Sequence, residues 1–133
     1  NKKSGRVETL IGRHPVERKK MAVVEKNGKI AITNYEVMED TNINTLVKVG
    51  IETGRTHQIR VHMKYLGYPI DGDEVYGRGG IAKRQMLHAY QLEFRHPVTG
   101  KEMEIIGKVP EDFVETMKKM GISGEKLLKC GKI

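Results

Sequence analysis

"GRTHQIRVHMKYLGYPIDGDEVYG", residues 54–77, is the stretch that sets the architecture of this chain. Its first half has a helical period. Ile59, Met63 and Leu66 recur at intervals of four and three, which aligns them on one face of a helix. A helix is therefore predicted over 56–66, with Thr53 or Thr56 as its cap and Gly67, followed by Pro69, as its stop. His57, Arg60 and Lys64 fall on a second face, so an apolar side is expected against a sheet and a basic side toward a partner. The second half runs into YPIDGDEVYGRGG, a loop of glycines and turn formers.

Upstream, MAVVEKNGKIAI places Asn27-Gly28 between two β-rich runs. Asn-Gly takes positive φ readily, so a tight hairpin is predicted there. AITNYEVMED and NTLVKVGIET read as further strands, and residues 22–53 as an antiparallel meander. Downstream, QMLHAYQLEF reads as a strand, HPVTGK as a turn and EMEIIGKV as the next strand. VPEDFVETMKKMG carries Pro110 at its start, acids after it, lysines near its end and Gly121 as a stop, which is the charge order of a helix. The expected class is α+β, with a mainly antiparallel sheet flanked by helices and loops.

The chain has 133 residues, the size of one domain or part of a larger one. It carries 24 Lys plus Arg against 17 Asp plus Glu, a net charge of +7, which favours a polyanionic partner such as nucleic acid. Arg55, just before the helix, adds to this, as does RHPVERKK at 13–20. Cys130 is the only cysteine, so no internal disulfide forms, which fits a reducing, cytoplasmic setting. No apolar run reaches membrane-spanning length, and no partnership with a membrane is expected. The chain opens on Asn1 rather than Met, which points to a piece of something longer.

A metal site is not expected. His57 and His62 are five apart, roughly 140° around a helix, and HExxH is absent. Asp71 and Asp73 are a carboxylate pair of the kind that does acid–base or nucleophilic work, but Asp-Gly-Asp is also ordinary turn chemistry. GRGG at 77–80 matches neither phosphate-loop pattern and reads as a loop tip.

Taken together, these residues resemble a known family. ETGRTHQIRVHMKYLGYPIDGDEVYG is similar to the signature region of the pseudouridine synthases that modify uridines in large-subunit ribosomal RNA and some transfer RNA. AITNYEVME resembles the strand ahead of that region, QMLHAYQLEFRHPVTGKEMEI the Leu-His-Ala strand and His-Pro turn, and VPEDF the closing motif. The resemblance covers about residues 5–120 in the right order. It implies an antiparallel sheet with a cleft across its middle, and an isomerisation without cofactor. In that reaction uracil is detached at N1 from C1′, turned and rejoined through C5, after the base has left its stack. It implies that Arg60 is the basic partner of a catalytic Asp and that Leu87 lines the uracil pocket. Arg55, His57 and Gln58 would meet RNA or the pocket wall, and Asp71, Gly72, Asp73 and Tyr76 would form a structural loop beside the cleft; Lys64, on the basic face of the helix, is also expected toward RNA.

The family's nucleophilic Asp lies in an Arg-Leu-Asp motif, and its active-site Tyr in a Tyr-x-Ala strand; the chain has neither. Residues 1–133 are thus expected to be the C-terminal part of a catalytic domain, with 121–133 as a tail. Such a part would show little or no activity alone and would self-associate through exposed sheet edges or be disordered near residues 1–20. The rival readings are a non-catalytic RNA-binding domain on the same scaffold and a basic assembly domain of the ribosome.

Overall fold

A strand lies where no regular element is expected. The computed structural model describes residues 3–124, apart from 18, 42, 78–79, 83, 90, 96–97, 99–101 and 107. In it β1 (Ser4–Arg13) is a central strand, paired antiparallel on one side with β2 (Met21–Val24) and on the other with β3 (Lys29–Asp40). Disorder near residues 1–20 is therefore not the case over 4–13. Val7, Thr9 and Ile11 alternate onto the face that carries the core, and Arg6 and Glu8 alternate away from it.

The strand order β2-β1-β3-β4, with β4 spanning Thr45–Ile51, corrects the expected hairpin at Asn27-Gly28. Val24 and Ile30 do not pair with each other; both pair with Leu10. The connection 25–28 instead crosses the Ile11–Gly12 end of β1. A Cβ on Gly28 would stand 3.0 Å from the Ile11 carbonyl oxygen, and one on Gly12 would stand 2.9 Å from that of Asn27. The glycines serve this close backbone approach, and Asn27 supplies the positive φ of 60°. Of the expected meander, β3–β4 remains.

A bulge between Val37 and Glu39 re-aims Met38 into a cluster with Leu46, Val109, Met117 and Ile122. That cluster lies beneath α2 (Glu111–Met120), which starts at Pro110 and stops at Gly121 with φ 77°, as its sequence predicts. Ile122 is buried, and Glu39 accepts hydrogen bonds from the Ser123 amide and hydroxyl and from the Gly124 amide. Residues 121–124 thus belong to the packed fold rather than to a tail. Cys130 lies outside the described residues.

The second helix of the pair, α1 (Gln58–Tyr65), packs on the other core cluster: Ile11, Ala31, Val61 and Tyr76, with Met21 and Val23 around it. β5 (Gln91–Arg95) and β6 (Glu102–Ile106) form a separate antiparallel pair. The strand expected over QMLHAYQLEF is thus regular only from Gln91, and the HPVTGK turn lies largely outside the described residues. The class is α+β with antiparallel sheet.

Candidate active site

The residues that α1 buries are not the stripe its period predicts. Gln58, Val61, His62 and Met63 are buried, and two of those four are polar. His62 is fully enclosed, with Nε2 2.8 Å from Thr9 Oγ1 and Nδ1 2.7 Å from Thr33 Oγ1. Gln58 donates from Nε2 to the Ile32 carbonyl and to Thr33 Oγ1, both at 2.9 Å. Its Oε1 accepts from Thr53 Oγ1 at 2.7 Å and from the Arg55 amide at 3.0 Å. A short helix is thereby fixed to the sheet by directional bonds, whose geometry tolerates less sliding than apolar contact does.

Two expectations change as a result. Gln58, expected toward RNA, has both ends of its amide engaged inside the fold and is 3% exposed, so it holds the helix instead. Neither Thr53 nor Thr56 caps α1. The N-cap is His57 in the left-handed region, φ 56° and ψ 23°, and Thr53 is occupied with Gln58 and the Ile32 amide. Non-glycine residues adopt that conformation only where their surroundings hold them. Here Nδ1 of His57 lies 2.6 Å from Tyr76 Oη, with the rings edge to face at 5.5 Å.

Tyr76 joins the parts of the site. Its hydroxyl also accepts from the Met21 amide at 3.0 Å, and the Arg60 guanidinium carbon stands 5.0 Å from its ring centre. Arg60 donates from Nε to Asp73 Oδ2 at 2.8 Å and from Nη2 to Asp73 Oδ1 at 3.0 Å, the two-pronged geometry in which arginine exceeds lysine. Asp73 Oδ1 also accepts from the Val75 and Tyr76 amides. The Arg60 hydrogen bonds, aided by the two amides, hold the Asp73 carboxyl below its ordinary pKa against the opposing effect of burial. The same hydrogen bonds raise Arg60. A carboxylate that is 1% exposed and accepts four N–H bonds is a poor base or nucleophile.

Asp71 builds the next part of the loop. Its carboxylate accepts from the Ile81 and Ala82 amides, and its carbonyl accepts from the Met86 amide at 2.8 Å. Leu87, the expected pocket residue, is half-buried in the segment thus tethered to the Asp71–Asp73 turn and through it to Arg60. Lys64 and His57 are exposed, whereas Arg55 is half-buried with Nε donating to the Ile30 carbonyl at 2.8 Å. Sequence reasoning placed Asp73 and Tyr76 in this loop but not against Arg60. The available signal was their spacing of three, which lets one turn offer both to the same guanidinium.

The RNA pseudouridylate synthase family model matches residues 1–65. Ribosomal large subunit pseudouridine synthase D of Pseudomonas aeruginosa is 46% identical over a segment covering 83% of this chain and 39% of that protein. Its counterpart in Escherichia coli (strain K12) is 41% identical, covering 87% and 40%. The chain belongs to the RNA pseudouridylate synthase family. The solved structure of human RNA pseudouridylate synthase domain containing 4 matches with a TM-score of 0.67 at 25% identity, covering 90% of this chain and 57% of that one. This family member thus spans about two fifths of the length of the curated relatives it matches. No helix among the described residues is long and apolar enough to cross a membrane.

Proposed function

We propose that this chain supplies the basic side and the apolar wall of the active cleft of an RNA pseudouridine synthase. The catalytic carboxylate would come from sequence outside these 133 residues. The observation that carries this reading is the setting of Arg60: a guanidinium held on two sides by Asp73 and Tyr76, with 14% of its side chain still open to solvent. A fixed cation of this kind keeps an opposing carboxylate ionised and oriented in a shielded cleft. Leu87 packs against the uracil, and His57, Lys64 and Arg55 meet the RNA backbone. Uracil leaves C1′ through N1, turns and rejoins through C5; the C5 proton passes to solvent and N1 takes a proton up in its place. Atoms balance without a cofactor.

Tritium release from RNA bearing 5-tritiated uridine tests the reading. The full-length protein should turn over, the 133-residue chain alone should not, and Arg60→Ala in the full-length protein should lower kcat at least about 100-fold. Turnover by the isolated chain would overturn the division of labour. An Arg60→Ala protein with full kcat and only weaker RNA affinity would favour a binding role. RNA affinity should fall steeply with salt, because phosphate contacts release counterions.

A further inference from the structure

Asp71 and Asp73 of the signature loop take no chemical step in the reaction proposed above, and Asp73 is the more deeply placed. It is 1% exposed, faces Arg60, and spends each oxygen differently. Oδ1 serves the turn, accepting from the Val75 and Tyr76 amides at 3.1 Å, and shares Arg60 Nη2. Oδ2 serves Arg60 Nε alone, at 2.8 Å. Tyr76, three residues on, closes one face of the guanidinium, and its hydroxyl is fixed by the Met21 amide and His57. Among the described residues Nη1 of Arg60 donates no hydrogen bond.

We propose that Asp73 is a positioning residue that acts through Arg60: it fixes the Nε–Nη2 edge of the guanidinium so that Nη1 is presented to the reacting groups in one orientation. The proposal rests on the reading of Arg60 as the basic group of the active cleft. An arginine in solvent samples many rotamers, and each would have to be frozen in the transition state. Here the side chain is immobilised before RNA arrives, and the bidentate pair keeps it planar and charged. Asp73 itself never touches the base.

The division between the two oxygens supplies a selective variant. Asp73→Asn keeps Oδ1 and with it the turn, but sets an NH2 group against the Nε–H of Arg60. The donors repel, and the clamp opens while the loop persists. In the full-length protein Asp73→Asn should lower kcat about 10- to 100-fold with KM for RNA within twofold. The double variant Asp73→Asn/Arg60→Gln should be no slower than Arg60→Gln alone. Full kcat in Asp73→Asn, or effects that multiply in the double variant, would overturn the proposal. A second readout does not depend on activity. In 15N-arginine-labelled full-length protein the Arg60 Nε–H signal should be protected from exchange and should lose that protection in Asp73→Asn. Equal protection in both proteins would refute the clamp. Lost protection with wild-type protein inactive on uridine RNA would leave the clamp standing and refute the functional reading instead.

Discussion

His62 provides a quantitative test of how α1 is held. Replacing it with Leu keeps a similar volume in a fully enclosed position but removes both imidazole nitrogens. Thr33, also fully buried, keeps its bond from Gln58, whereas Thr9 is half-buried and can turn partly to water. Each lost bond is worth about 1 kcal/mol, and the incompletely satisfied Thr33 hydroxyl adds about 1 kcal/mol. The added apolar burial offsets part of this, which leaves a net loss of about 2 kcal/mol. For a domain of this size that lowers Tm by about 6–10 °C. The same variant has a pH signature. Burial pushes the His62 pKa below the ordinary 6.5. Between the lowered folded value and 6.5 the unfolded chain binds a proton that the folded chain does not. Stability therefore rises with pH through that window and is fully present above 6.5. Urea denaturation at closely spaced pH values would show a decline in wild type as pH falls below 6.5, and a smaller one in His62→Leu. Equal stability of the two proteins at pH 7.5, with identical pH profiles, would refute the assignment of His62 as a neutral, doubly bonded anchor.

Other perturbations separate backbone from side-chain effects. Gly72→Ala places a Cβ against the Arg84 carbonyl at φ 81°, so thermal unfolding should show a loss of at least about 2 kcal/mol. Gly121→Ala, at φ 77° with no atom within 4 Å of the new Cβ, carries only the left-handed penalty of about 1 kcal/mol. If the two cost the same in parallel melts, the close approach at Gly72 is not the cause. Met117→Ala leaves a cavity in the cluster of Leu46, Val109 and Ile122 and should cost about 2–5 kcal/mol by urea denaturation. As pH falls from the ordinary 3.8 through the lowered folded pKa of Asp73, the Arg60–Asp73 pair loses its contribution, so 13C-carboxyl titration should place Asp73 below 3.8. A normal titration would contradict the clamp geometry.

Local chemistry was enough for the parts of the chain whose partners lie nearby in sequence. Helix α2 followed from Pro110, its acid-to-base order and Gly121. Helix α1 followed from its period and from Gly67, and the loop at 71–77 from its glycines and aspartates. What the residues could not show by themselves is which groups meet across long separations. Val7, Thr9 and Ile11 alternate only weakly beside charged neighbours, so β1 emerges as a strand because β2 and β3 both pair with it. Asn27-Gly28 has the composition of a hairpin, yet it crosses a strand end, because pairing with β1 satisfies more backbone than pairing β2 with β3 would. Gln58 looks like a surface amide until Thr33 and Thr53 come within reach. Arg60 and Asp73 could be named as charges from the sequence. Only the packing of α1 against the 71–77 loop joins them, because a bond of 2.8 Å depends on backbone placement that no local propensity encodes.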